Sequence, residues 1–349
     1  MLSPGADRLG CRRPDARRRA FSLIELMAVV TIIGLLAGLI LPAVQRSREA
    51  ARRVACTNHL KQIGLALQSY SATHGFYPGV CGPTRFGPDG YSAHAYSPLA
   101  RMLAELEQIP LYDSVNFTAF ATSAEALWAN RTVMMTTVEL FLCPSQPNVA
   151  EPGFGRVNYR FNLGPAPWVA AGDDKQAAWS GPFTVHRFYR PADFRDGLSQ
   201  TVGASERVQG DWTQGRFSVG DYRLTNVQNG GPLTIAWGRA VCASAPASLP
   251  HESRSGESWF LSGYHFTNYN HCETPNASTP DCSLFPFTED IHWRTLHEGV
   301  FTARSAHPGG VNGLRMDGSV RFIGDGVDLQ VWRALATRAG GEPSFTQGD

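Results

Sequence analysis

One unbroken block of hydrophobic residues lies near the start of the chain. From Phe21 to Leu41 there are 21 residues with a single charge, at Glu25. That is about the length that a helix needs to cross the hydrocarbon core of a bilayer. The 20 residues before the block are polar, include two prolines, and carry six arginines against two aspartates. Because arginine-rich flanks stay in the cytoplasm, the pattern predicts a single-pass anchor with the rest of the chain on the outer side.

Beyond the apolar block the pattern becomes amphipathic. Apolar residues from Val44 to Tyr70 recur at spacings that fall on one face of a helix. Gly75, directly after His74, is typical of a helix end. The sequence therefore predicts one continuous helix, with residues 21–42 in the membrane and residues 43–75 as an amphipathic stem.

From residue 76 onward, short apolar runs are broken by Gly, Pro, Asn and Asp, which is typical of strands and loops. Short helices are predicted near residues 98–111, 123–140 and 327–338, and the stretch from Cys272 to Pro286 is predicted to be a loop. The predicted fold class is α+β, a long N-terminal α-helix packed on a β-rich globular head (76–349) with an antiparallel sheet. The predicted strands are Gly181–Phe188, Gln200–Ser205, Leu233–Trp237, Gly299–Ala303 and a hairpin of residues 311–316 and 319–323 around Asp317 and Gly318.

Glu25 distinguishes between kinds of N-terminal apolar segment. A carboxylate inside a bilayer costs about 2.5 to 3.5 kcal/mol on insertion scales, so its presence indicates a partner. Ordinary secretory signals place their small-residue cleavage site after the apolar region. Here the small residue, Ala20, comes before it. A plain signal anchor stays the alternative.

Arginines, Ala20 and then FSLIEL at the head of an apolar helix resemble the prepilin peptidase site of type IV pilins and type II secretion pseudopilins. The resemblance implies that residues 1–20 are a leader, that cleavage falls between Ala20 and Phe21, and that Phe21 is methylated. Ala20 is a departure from the usual glycine. Pro42 lies where pilins carry a helix-kinking proline, and Glu25 becomes the fifth mature residue.

Five further segments carry a second resemblance: Cys56–Pro78, Phe141–Ser145, Asp196–Val208, His307–Ile323 and Val331–Glu342. With them, most of the remaining chain resembles a large family of prepilin-like proteins that is catalogued as a domain of unknown function. The resemblance implies a pilin-type helix with an enlarged head and no catalytic activity. Residues 210–287 contain no segment with a recognisable resemblance and are interpreted as an insertion.

These features predict a structural subunit of a type II secretion or type IV pilus-like assembly in the inner membrane, with its head in the periplasm or outside the cell. In a filament, the Phe21 amine of one subunit can pair with the Glu25 carboxylate of its neighbour and cancel two charges that are costly in lipid. Gly34 and Gly38 permit close helix approach. The expected partners are prepilin peptidase and other pilin-like subunits. The alternative is a membrane-tethered extracytoplasmic binding protein that does not polymerise.

Charge and histidine spacing argue against other functions. Without the leader the chain has 25 basic and 28 acidic side chains and no basic stripe, so no nucleic-acid partner is expected. The ten histidines show no helical metal-binding pair, and no nucleophile elbow or phosphate-binding loop is present at a suitable position, so neither an enzyme nor a cofactor is predicted. Calcium is a weaker expectation at Asp317, Asp325 and Asp328, which are more simply read as solvated turn residues.

Six cysteines remain after removal of the leader, which contains Cys11. An even number on the outer side of a membrane favours disulfides over free thiols. The preferred pair joins the stem to the head, the second closes a ten-residue loop, and the third follows by elimination. These pairs are Cys56 with Cys143, Cys272 with Cys282, and Cys81 with Cys242.

Overall fold

The computed structural model describes residues 22–80, 95–118, 124–146, 153–167, 180–184, 187–227, 234–284 and 298–341. By its internal contacts the chain divides into two compact units, Met1–Arg48 and Glu49–Asp349. The first unit contains the apolar segment, and the second contains most of the stem and the head.

Helix α1 runs from Leu23 to His74, 52 residues without interruption. Pro42 lies inside it. Gly75 ends the helix in a left-handed conformation with φ of +80°, and its backbone N–H donates to the carbonyl oxygen of Ser71. The predicted single helix to about His74 is therefore confirmed, because a glycine pays no steric penalty at this φ.

The second half of α1 is the stem, and one of its faces lies in the core of the head. Its buried residues recur every three or four positions, several of them as adjacent pairs, which is the pattern of one broad helical face. This burial explains why the amphipathic pattern continues after the apolar block ends. The buried stem residues are Cys56, Leu60, Ile63, Gly64, Ala66, Leu67, Tyr70 and Ser71.

Two mixed sheets form the framework of the head. The larger sheet has the order β5-β1-β2-β8-β9, and the smaller has the order β4-β3-β6-β7. Most neighbouring strands are antiparallel, but β1 pairs with β5, and β3 with β6, in parallel. The predicted α+β class is confirmed, with sheets that are mixed. In the described residues the strands are β1 (Tyr159–Asn162), β2 (Val202–Glu206), β3 (Tyr222–Leu224), β4 (His251–Glu252), β5 (Asn268–Tyr269), β6 (Asp281–Ser283), β7 (Gly299–Val300), β8 (Gly310–Arg315) and β9 (Val320–Gly324).

The remaining helices are short. Near residues 98–111 and 123–140 the structure has several short pieces in place of two helices, including a 3-10 turn at Glu139–Phe141. The predicted closing helix is present as the last of them. The helices are α2 (Pro98–Arg101), α3 (Ile109–Asp113), α4 (Ala124–Ala129), α5 (Arg131–Met135), α6 (Ile235–Ser244) and α7 (Leu329–Ala334).

Three strand and loop predictions are wrong. Leu233–Trp237 was predicted to be a strand, but from residue 235 the chain is helix α6, which Thr234 caps by accepting from the backbone N–H of Trp237 at 3.2 Å. The described positions of Gly181–Phe188 are not in a strand. The predicted loop Cys272–Pro286 contains strand β6.

The hairpin of β8 and β9 is present as predicted, and it packs on the stem. Gly318 adopts a φ of +86° in its turn, where Asp317 accepts from the backbone N–H of Ser319 at 2.9 Å. A Cβ at Gly64 of the stem would lie 2.7 Å from Leu314 Cδ1 and 3.2 Å from the backbone of Gly318. The stem and the hairpin can therefore approach closely because position 64 is glycine, whereas Gly318 is favoured by its positive φ.

Candidate functional site

The apolar half of α1 presents its side chains outward. Within the described residues, α1 is the one helix long and apolar enough to cross a membrane, and none of its most apolar stretch is buried. A Cβ at Gly34 or Gly38 would meet no atom of this chain within 4 Å. An apolar surface of this kind is suited to lipid or to other apolar helices.

Glu25 is exposed in the first turn of α1, where its Oε2 accepts from the backbone N–H of Ser22 at 2.9 Å. The carboxylate thus caps its own helix within one chain. The predicted cleavage and methylation residues, Ala20 and Phe21, lie outside the described residues.

A second group of functional side chains joins the stem to the head. Cys56 of α1 forms a disulfide with Cys143, with 5.2 Å between their Cα atoms. This is the pair that the sequence favoured. Beside it lies His307, whose Nε2 is 3.6 Å from Cys143 Sγ. The ring is buried, although neither helix nor strand contains it.

Two carboxylates hold the His307 ring from opposite sides. Nδ1 lies 2.8 Å from Glu49 Oε1 on the stem, and Nε2 lies 3.3 Å from Glu206 Oε1 on β2. Burial opposes the charged imidazolium, but Glu206 and Glu49 outweigh it and raise the pKa of His307. Burial likewise opposes the Glu49 carboxylate, yet hydrogen bonds from His307, Arg52 and Ser145 lower its pKa. We call Cys56, Cys143, Glu206 and His307, with Glu49 behind the imidazole, the stem–head cluster.

Comparison with known proteins identifies the family. A family described as "Protein of unknown function (DUF1559)" matches residues 45–330, most of the chain. The chain belongs to the DUF1559 family. A second match, "Prokaryotic N-terminal methylation motif", covers residues 15–41 and includes the Ala20–Phe21 junction. The resemblance drawn from the sequence is confirmed, and the apolar helix with this motif fits a single-pass membrane anchor.

Relatives of this DUF1559 chain include two proteins named "Type II secretion system core protein G". The one from Pectobacterium carotovorum subsp. carotovorum is 34% identical over 62 residues, 18% of this chain and 40% of the relative. The one from Klebsiella pneumoniae is 36% identical over 62 residues, 18% of this chain and 44% of the relative. The chain thus spans less than half of the length of these relatives. No solved structure matches it.

The remaining cysteines of the DUF1559 chain differ from expectation. Cys282 pairs with Cys242, so the predicted Cys272–Cys282 and Cys81–Cys242 pairs are wrong. Cys272 is a buried thiol that donates to the carbonyl oxygen of Pro165, and burial raises its pKa. Cys81 lies outside the described residues. Sequence spacing favoured the short loop, whereas α6 carries Cys242 onto the smaller sheet beside β6.

The three aspartates considered for calcium each have a separate partner. Asp317 accepts from Ser319 in the hairpin turn, and Asp325 accepts from Asn276 Nδ2 at 2.7 Å. Asp328 caps α7 by accepting from two backbone N–H groups. Calcium at these residues stays a prediction.

The sequence pattern does not indicate Glu49 or Glu206, and it predicts that His307 is part of a turn. Glu206 and His307 lie in the segments that carried the family resemblance, as do Cys56 and Cys143. Their position in these segments is the one feature of the sequence that could have indicated a common role. Cys56, Cys143, Glu206 and His307 come from distant parts of the chain, so their spacing in the sequence does not indicate that they meet.

Proposed function

We propose that this protein is a structural, pseudopilin-like subunit of a type II secretion or type IV pilus-like assembly. Prepilin peptidase cuts between Ala20 and Phe21, Phe21 is methylated, and residues 21–42 anchor the chain in the inner membrane with the head in the periplasm or outside the cell. The observation that carries the proposal is the methylation motif placed directly on an exposed apolar helix that contains Glu25. This role needs no catalytic chemistry.

The physical basis of assembly is the removal of charge from lipid. Cleavage leaves a positively charged amine at Phe21, close to the carboxylate of Glu25 in the same apolar helix. In staggered helices the amine of one subunit meets Glu25 of the next, so pairing cancels two charges that are each costly in a bilayer. The glycines at positions 34 and 38 leave room for the neighbouring helix.

The variant Glu25→Ala tests assembly against the tethered, non-polymerising alternative. The substitution eases insertion, so the protein should remain inserted, cleaved and folded, while crosslinking to neighbouring subunits should collapse. A photo-crosslinker at Ile33 in native membranes reports on neighbours, and cleavage is followed on the same gels. Thr31→Ala is the matched control, because the Thr31 hydroxyl donates to Met27 of its own helix. Unchanged crosslinking of Glu25→Ala would favour the tethered binding protein.

The mature N-terminus provides a separate test. Mass spectrometry of the protein from native membranes should find N-methylated Phe21 as the first residue. Replacing Ala20 with a bulky residue such as Phe should leave the uncut chain, since the peptidase accepts small residues before the cut. An intact Met1 in the wild-type protein, or a start after Ala43, would contradict prepilin processing.

A further inference from the structure

The stem–head cluster combines four donor groups of the kinds that bind a transition metal. The Sγ atoms of Cys56 and Cys143, a carboxylate oxygen of Glu206 and a ring nitrogen of His307 all lie within 4.8 Å of one another. All four residues are buried. They come from α1, from the segment after the 3-10 turn, from β2 and from the segment before β8. With the disulfide closed the sulfur atoms are bonded to each other, so they are not available as thiolate ligands.

The spacing of the fixed donors fits a tetrahedral zinc ion. Zinc bonds of about 2.3 Å to sulfur and about 2.0 to 2.2 Å to nitrogen or oxygen place ligand atoms roughly 3.3 to 3.8 Å apart. His307 Nε2 lies 3.6 Å from Cys143 Sγ and 3.3 Å from Glu206 Oε1. Reduction of the disulfide allows the two sulfur atoms to separate to the remaining tetrahedral distance of about 3.8 Å.

A surrounding shell holds the donors in orientation. Glu49 binds Nδ1 of His307, which directs Nε2 into the cluster, as a carboxylate commonly does behind a histidine that binds zinc. Arg52 and Ser145 fix Glu49 in turn, at 2.9 and 3.0 Å. On the other side, the backbone N–H and the Nδ2 of Asn312 each donate to Glu206 at 2.9 Å.

We propose that the dithiol form of this protein binds one zinc ion through Cys56, Cys143, Glu206 and His307, and that zinc binding and disulfide formation are alternative ways of joining the stem to the head. Zinc displaces the two thiol protons, and the Nε2 proton where the imidazole carries one. No oxidation state changes in that step. A newly exported chain enters as the dithiol, so the zinc form needs no reductant. Closing the disulfide afterwards passes two electrons to an external disulfide oxidant, which is reduced to its dithiol, and releases the zinc ion.

Two thiolates, an imidazole and a carboxylate are a donor set typical of zinc. Histidine spacing along the sequence did not indicate this site, because its donors are separated by up to 251 positions. The disulfide bonds the stem to the segment after the 3-10 turn, whereas zinc would bond the stem to that segment, to β2 of the larger sheet and to the segment before β8. The zinc form would hold the junction before the disulfide closes.

Metal binding by the full-length protein in detergent tests the proposal. The protein is reduced with a phosphine, and the phosphine is then removed under nitrogen. Zinc is added, and the metal that stays bound to the protein is measured after gel filtration. Reduced wild type should retain about one zinc per chain and oxidised protein none. Cobalt in place of zinc should give a thiolate charge-transfer band and the visible spectrum of tetrahedral geometry. Glu49→Gln should weaken zinc binding by at least about 10-fold.

Paired cysteine variants locate the metal. Cys242→Ser/Cys282→Ser, which removes the other disulfide, should keep the zinc, whereas Cys56→Ser/Cys143→Ser should lose it. Circular dichroism follows the fold in each sample. If reduction alone unfolds the chain, zinc should restore it. A reduced wild type that neither retains zinc nor refolds with it would overturn the proposal, as would equal binding by oxidised protein or by Cys56→Ser/Cys143→Ser. The measurement does not involve assembly, so its failure leaves the proposed function standing.

Discussion

At the scale of single residues, charged groups inside the head are held by specific partners. Asp281 of β6 is fully buried between Arg207 and Arg304, whose Nη2 lies 2.9 Å from Asp281 Oδ1. Burial opposes its charge, but the two arginines lower the pKa of Asp281. The pKa of Asp221 shifts in the opposite direction. Burial raises the pKa of Asp221 to about 6, although hydrogen bonds from Ser218 and the charge of His251 oppose the rise.

Asp221 should make the stability of the head depend on pH. Its pKa of about 6 in the folded chain exceeds the ordinary value near 4, so its contribution is fully present below pH 4 and is lost as the pH rises to about 6. In the wild type, Asp221 should lower the free energy of unfolding by roughly 1 to 2 kcal/mol as the pH rises across that interval. In Asp221→Asn this decrease should be absent. Denaturant titrations at several pH values measure it.

Asp317→Asn is the control for this pH experiment, because Asp317 is exposed in the hairpin turn. Its unfolding free energy should follow the pH profile of the wild type. Identical profiles for Asp221→Asn and the wild type would show that burial does not perturb this carboxyl group.

At the scale of elements, the stem and the β8–β9 hairpin approach each other closely at Gly64. The stem buries one face over successive turns in the core, and Gly64 lies on that face. Its lack of a side chain leaves room for Leu314 and for the backbone of the turn at Gly318. This close approach therefore depends on the absence of a side chain at position 64 of the stem.

Gly64→Ala should destabilise the head. The new Cβ would lie 2.7 Å from Leu314 Cδ1, closer than van der Waals contact allows, and overpacking of this kind costs about 1 to 3 kcal/mol. The better helix propensity of alanine offsets at most about 1 kcal/mol of that. Denaturant unfolding followed by tryptophan fluorescence measures the net loss.

Gly38→Ala is the matched control on the same helix, since its Cβ would meet no atom within 4 Å. The head of this variant should unfold at the denaturant concentration of the wild type. If Gly64→Ala unfolded there as well, the stem and the hairpin would not be in the close contact described.

At the scale of the whole molecule, the chain combines an apolar helical segment with a head that is closed by covalent bonds. The Cys56–Cys143 disulfide joins positions 87 residues apart, and the Cys242–Cys282 disulfide joins positions 40 residues apart. Long closed loops restrict the unfolded chain most, which is the main way in which a disulfide stabilises a fold. The stem–head disulfide closes the longer of these two loops and therefore restricts the unfolded chain more.

Removing the stem–head disulfide should lower the free energy of unfolding by about 2 to 4 kcal/mol. The change is Cys56→Ser/Cys143→Ser, measured by denaturant unfolding of the oxidised protein in detergent. Cys242→Ser/Cys282→Ser is the comparison and should lose slightly less, because its loop is shorter. Peptide mapping without reduction checks the bond directly. A free Cys56 in the wild-type protein would contradict the pairing.

The sequence by itself determined the features that depend on local pattern. The apolar block, the stem periodicity and the stop at Gly75 specified helix α1, because the helical period is a property of consecutive residues. Asp317 and Gly318 specified the hairpin turn in the same way. Only the tertiary structure decided that residues 235–237 are helical, since a short apolar run fits either a strand or a helix. It also decided the pairing of Cys282 and the meeting of Glu49, Glu206 and His307, because such contacts depend on how distant elements pack and leave no periodic signal along the chain.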